Sequence, residues 1–276
     1  MKRYKLLWAI LALCTACTQP NTVIEFESAI VVQGYLYAGQ TVKGIELSAL
    51  IPFGADSSII PDWDQMAVEI IHQAESFPLS QRTSGSGIFD EASETLSILE
   101  GETYLLQINY HEEILSASTT VPPKPNSLQI SENVMERTQI DFSQGQGPGG
   151  GGGGQAQTDP LEVSWDNPLA DYFFLLVENV ENNPDPIFLN TPFERNFRFI
   201  NEPTQSAIDI VQPQMIEFFG THQVVLFRVD EDYASLYENR EQDSRSLNEP
   251  FTNIENGLGI FTAVNSDTLY FEVIEP

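Results

Sequence analysis

Cysteine is nearly absent. The 276 residues hold two, Cys14 and Cys17, both within the first seventeen positions. The rest of the chain therefore has no disulfide and no thiolate metal site, and its cores must hold without covalent staples. Basic residues are scarce as well, 12 Lys and Arg against 40 Asp and Glu, for a formal net charge of -28. A surface that negative repels nucleic-acid phosphates, which excludes DNA and RNA as partners, and it gains nothing from an anionic lipid surface. The acidity has three readings: a solvated face kept soluble by self-repulsion, divalent-cation sites, or recognition of a basic partner. The first asks for no special arrangement and leads. Long apolar runs are missing too. Leu6–Leu13 is far short of the roughly 20 residues that a spanning helix needs.

What is present begins at the N-terminus. Lys2, Arg3 and Lys5 form a positive start, Leu6–Leu13 an apolar stretch, and Thr15-Ala16 place small residues directly before Cys17. This is the layout of a cleavable export signal over residues 1–16. The end of it resembles the lipobox of bacterial lipoproteins, although Cys14 stands where Leu is usual. In such signals the cysteine thiol receives diacylglycerol and the freed amine is acylated. Each buried methylene then contributes about 0.8 kcal/mol, enough in sum to hold Cys17 on a membrane. No aspartate follows Cys17, a pattern that resembles sorting to the outer membrane; which face the body occupies is left open.

Residues 17–27 are polar, carry Pro20 and read as a short tether. From residue 28 onward β-branched and aromatic residues recur in short alternating runs between turn residues, the pattern of an all-β protein built of two tandem sandwich-like modules. The first, 28–122, has expected strands at Ala29–Tyr37, Val42–Leu50, Met66–His72, Thr95–Leu99, Tyr104–Tyr110 and Ile114–Val121. Pro122, Pro123 and Pro125 fall within residues 123–127 or at their border and cannot continue a ladder, so this stretch reads as a linker. The second module, 128–276, has expected strands at Leu128–Asn133, Thr138–Phe142, Leu161–Trp165, Tyr172–Val180, Asn196–Ile200, Gln223–Val229, Gly259–Val264 and Leu269–Ile274. One short helix is expected at Asp232–Glu241, where Tyr233, Leu236, Tyr237 and Arg240 share a face. The glycine-rich stretch 145–158 lacks the Lys-Ser/Thr pair of a phosphate loop and reads as a surface loop.

Candidate chemistry is thin. His72, His111 and His222 lie at or near expected strand ends, and His111-Glu112 fails as a zinc-peptidase motif because Leu115 occupies the second histidine's place. Gly85-Ser86-Gly87 has the wrong spacing for a nucleophile elbow. Asp62-Trp63-Asp64 could serve a sugar, Trp stacking a ring while carboxylates take hydroxyls, or could be a loop pinned by a buried Trp. Asp230-Glu231-Asp232 and Asn182-Asn183-Pro184-Asp185 offer oxygen ligands without the ligand series of a known calcium loop. No catalytic residue, metal site or cofactor is assigned, and the ligand-binding residues are unknown.

Several segments together resemble the Bacteroidota lipoproteins of domain-of-unknown-function family 4249. They are Val31-Val32-Gln33-Gly34-Tyr35-Leu36, the Gly101-to-Leu106 stretch with Tyr104, Ser116 to Pro122, Val163-Ser164-Trp165-Asp166-Asn167-Pro168, and above all Asn253-Ile254-Glu255-Asn256-Gly257-Leu258-Gly259-Ile260-Phe261. The resemblance implies an outer-membrane lipoprotein whose first module is immunoglobulin-like or carboxypeptidase-regulatory-like, without established catalytic residues. It also implies a TonB-dependent transporter as a possible partner. The expectation is a non-enzymatic binding or accessory subunit. A surface adhesin or structural spacer is the alternative, and a glycan or peptide hydrolase a third reading that would draw on His72, His111, His222 or Asp64.

Overall fold

The computed structural model describes residues 29–50, 61–144, 159–191, 198–238 and 251–276. Nearly every alternating run has become a strand. In β1 (Ala29–Tyr37), Ile30, Val32 and Leu36 turn inward on alternate positions, and in β6 (Thr103–Tyr110) Tyr104, Leu106 and Ile108 do the same. Between them run β2 (Ile45–Leu50), β3 (Ala67–His72), β4 (Glu75–Gln81) and β5 (Ile88–Glu91), and β7 (Glu113–Thr120) follows β6.

The pairing order β1-β2-β5-β4-β3-β6-β7 is unbroken, and through the C-terminal strand Leu258–Ile274, which also pairs with β1, it belongs to a 12-stranded sheet shared with the second module. This run of strands curls until β7 meets the far end of the chain. The Glu255 amide donates to the Ser116 carbonyl at 2.8 Å, and the Ser116 amide returns a bond to the Glu255 carbonyl at 3.3 Å. The core of this first module runs from Ile30 to Val121 and is completed by Ile254, Phe261 and Ala263.

The second half contributes β8 (Asn126–Ile130), β9 (Val134–Glu136), β10 (Ile140–Asp141), β11 (Leu161–Asp166), β12 (Tyr172–Asn179), β13 (Phe188–Leu189), β14 (Arg198–Ile200), β15 (Ile208–Val211) and β16 (Gly220–Val229). The helix α1 (Glu231–Glu238) and the 17-residue strand β17 (Leu258–Ile274) follow. Here two sheets do face each other: β14-β12-β16-β17, with β9 beside β17, against β15-β11-β8. Val163, Trp165, Phe173, Leu175, Leu226 and Phe271 are among the side chains packed between them.

Strand β17 corrects two expectations. The stretches Gly259–Val264 and Leu269–Ile274 are one strand, continuous through the polar run Asn265-Ser266-Asp267-Thr268 that separates the two expected strands. Its first half pairs in parallel with β1, Val31 opposite Leu258 through Tyr37 opposite Val264, and its second half pairs antiparallel with β16. The range 128–276 therefore does not close on itself. The cores change over between Val121 and Leu128, but residues 254–263 return to complete the first one.

Gly259 makes the close β1 contact possible. Its φ is +105°, and a Cβ there would lie 2.0 Å from the Val32 carbonyl oxygen.

Thr95–Leu99 is not a regular strand. It is pinned by single bonds, the Ile98 amide to the Gln40 carbonyl at 3.1 Å and the Gly39 amide to the Ile98 carbonyl at 2.7 Å. The hairpin β4–β5 was not anticipated because Glu75–Gln81 is polar and contains Pro78. That proline sits just beyond the last pair with β5, Leu79 opposite Glu91, where a missing N–H costs least. Of the expected helix Asp232–Glu241, the described part begins one residue earlier and runs through Glu238.

Candidate functional site

The most built-up polar and aromatic cluster lies where the modules meet. Phe174 of β12 and Phe227 of β16 stack at 4.7 Å on the sheet face turned away from the second core. Tyr233 of α1 stacks on Phe174 at 5.3 Å, meets Tyr35 of β1 edge-on at 6.2 Å, and shares a 3.2 Å hydroxyl contact with Tyr237. Burial, with Tyr237 beside it, holds the Tyr233 hydroxyl far above the ordinary tyrosine range, so it stays neutral.

The helix is started by Asp230, which accepts the Tyr233 amide at 2.9 Å and the Thr119 hydroxyl of β7 at 3.4 Å. Burial pushes the Asp230 carboxyl above its usual range, against the pull of that amide.

Asn253, from the segment most characteristic of the resemblance, acts like a one-residue strand. Its carboxamide accepts the Phe261 amide at 2.9 Å, donates to the Phe261 carbonyl at 2.9 Å and reaches Asp232 at 2.8 Å. This ties α1 to β17. Chemically the cluster is glue, because its carboxylates are occupied in capping and bridging.

The same accounting settles the other candidates. Asp62 caps the short turn Trp63–Gln65. Asp64 accepts Gln81 at 2.6 Å, Ser84 at 2.8 Å and the Gly85 amide at 3.3 Å, which hold its carboxyl below the usual range, Ser84 foremost. Trp63 packs against the first core. The triplet is a loop pinned by a tryptophan, with Asp62 closing its own turn and Asp64 holding the turn at Ser84-Gly85.

The histidines are not brought together. His72 stacks on Tyr104 at 4.5 Å with Nδ1 3.2 Å from the Thr103 carbonyl. His111 lies in the β6–β7 turn against Tyr110. His222 is buried in β16, stacked on Phe271 at 5.2 Å, with Nδ1 3.0 Å from the Gly220 carbonyl. A cavity beside it, lined by Val177, Phe199, Ile216 and Phe218, measures about 10 Å³, room for a single water.

Asp230 and Asp232 diverge to different partners, and among the described residues no three metal-ligating side chains converge. No described helix is long and apolar enough to cross a membrane. Cys17 and the whole of the glycine-rich stretch 145–158 lie outside the described residues.

One feature escaped sequence reasoning. Tyr104 is fully buried, and its hydroxyl accepts the Leu99 amide at 2.8 Å while donating to the Ser97 carbonyl at 3.1 Å. A tyrosine at a strand start bonding back to the backbone a few residues upstream resembles the tyrosine corner of immunoglobulin-like sandwiches. The Gly101-to-Tyr104 spacing was its signal.

The family described as Domain of unknown function (DUF4249) matches residues 18–269. No curated protein matches the chain. Similarity to solved structures is distant. A multidomain titin fragment aligns at 9% identity and TM-score 0.22 over 90% of this chain and 66% of its own. A Salmonella alpha-2-macroglobulin variant aligns at 10% and 0.21 over 90% and 15%, and an ICAM-5 ectodomain fragment at 11% and 0.20 over 89% and 53%. The chain thus spans less than two thirds of each.

Proposed function

Because the chain belongs to the domain-of-unknown-function family 4249, whose description leaves the activity open, we propose from its own residues that it is a lipid-anchored protein of the bacterial outer membrane. In this reading it serves as a non-enzymatic binding or accessory subunit beside a TonB-dependent transporter. The observation that carries the reading is the export signal ending in Thr15-Ala16-Cys17, followed by only 11 residues before β1 begins at Ala29. A tether of that length keeps the body within about 40 Å of its anchor even when fully extended. Support for the accessory role comes from the scattering of the described histidines and from the carboxylates of Asp62, Asp64, Asp230 and Asp232, which are engaged in structure.

Affinity purification from detergent-solubilised outer membranes tests it. The expected result is repeated recovery of a β-barrel transporter with the tagged chain. Recovery of the lipidated chain alone, at full yield, sinks the accessory role. The alternative of an adhesin or spacer draws on one specific feature, the single strand β17 that runs through both modules and stiffens their junction. Self-association or binding to other cells without any transporter would favour it.

A further inference from the structure

The register of β17 fixes which end of the body is which. β1 and β17 run parallel, and β17 leaves β1 at Tyr37, opposite Val264, to continue into the second module. Ala29 is therefore at the end of the first module remote from the second. The other connection agrees. The Pro122 carbonyl accepts the Asn265 carboxamide at 3.0 Å, and Lys124 pairs with Asp267 at 2.9 Å, so the proline linker also crosses at the far end of β1. Near Ala29 lie Leu50, paired with it, and the start of β7, where the Asn256 carboxamide reaches the Ile114 carbonyl at 2.9 Å. The His111-Glu112 turn between β6 and β7 closes the same end. Leu50 and Ile114 are 55% and 51% exposed at this end.

We propose that this end of the first module, carrying Ala29, Leu50, Ile114 and the His111-Glu112 turn, faces the lipid surface, and that the second module is presented outermost. The proposal rests on lipidation of Cys17. A random coil of the 11 residues between Cys17 and Ala29 would have a root-mean-square reach of about 20 Å, whereas the ten residues of β17 beyond Val264 extend about 30 Å at strand rise. The tether is thus too short, on average, to bring both ends of the body equally near the bilayer. The acidic surface adds to this, since lying flat would press more carboxylates against anionic headgroups.

The test uses the full lipidated chain in phosphatidylcholine vesicles carrying acceptor-labelled headgroups. Because the body beyond Cys17 contains no cysteine, single variants at exposed positions can each carry one donor dye: Glu112→Cys, Gln40→Cys and Glu275→Cys. Energy transfer to the headgroups is expected to fall in that order, with Glu275 several-fold below Glu112. Equal or reversed transfer from protein that floats with the vesicles overturns the orientation while leaving the anchor intact. Failure to float, with the same chain shown to carry no acyl group, overturns the anchor and this proposal with it.

Discussion

The two modules close their sheets by different means. The first is one unbroken run of strands rolled until β7 meets residues 254–257, so its edge is satisfied by a segment more than a hundred residues away in sequence. The second lays two sheets face to face and leaves β15 as an open edge. That edge is blunted locally. The Ser206 hydroxyl accepts the Ile208 amide at 3.1 Å and donates to the Ile208 carbonyl at 2.8 Å, while the Asp209 carboxylate takes the Ile210 amide at 2.7 Å. Unpaired edge groups invite strand addition. One module removes them by topology, the other by two short polar side chains. The cost of the topological solution is dependence. The first module cannot be complete until the C-terminal strand has been placed.

That dependence can be broken most severely inside β17. Phe261 is fully buried in the first core and Phe271 in the second, ten positions along the same strand. Truncating either to alanine is expected to cost about 3–5 kcal/mol. Because one strand serves both cores, calorimetry of either variant should show a single transition displaced as a whole. Two resolved transitions, with only one displaced, would separate the modules and end the argument for shared dependence. A smaller effect sharpens the contrast from the side of the first module. Tyr104→Phe keeps the ring but strips the Leu99 amide of its acceptor, and should cost about 1–3 kcal/mol in denaturant titration. A loss below a few tenths would mean that the corner is decoration.

How much of this was open to inspection in the sequence follows from the range of the forces involved. Alternation along β1, β6 and β11 reports burial on one face and needs only neighbours along the chain, so those strands were legible. The β4 strand was not, because a polar strand with Pro78 gains its place from β3 and β5 on either side rather than from its own pattern. Asn265 to Thr268 falls outside both expected strands for the same reason. What keeps it extended is the ladder to β16 and the bond from Asn265 to Pro122. For the candidate site, Asp62-Trp63-Asp64 allowed a sugar site beside the favoured pinned loop, since a carboxylate's partners are set by folding. Asn253 stood out through resemblance, but its reach to both Phe261 and Asp232 joins elements that only the fold brings together.

The mildest test concerns acid, and it separates the modules again. His222 belongs to the second module and is buried between Asn179 and Phe271, and burial lowers its pKa despite the nearby charges of Glu272 and Glu181. Its imidazole thus titrates near 6.5 in the unfolded chain and only at lower pH in the folded one. Below about pH 6.5 the unfolded state takes up a proton that the folded state refuses, so stability falls with pH, by at most about 1.4 kcal/mol per pH unit for this one group. Asp230 works the other way, since its raised pKa lets the folded state bind a proton before the unfolded one does, adding stability as pH falls through that range towards the unfolded value. The two contributions are separated by comparing the parent with His222→Gln in urea titrations between pH 7 and pH 5. The parent should lose stability relative to the variant as the pH drops. Parallel curves would show that the imidazole is protonated within the folded sheet, and the second module would then have no acid weakness of its own.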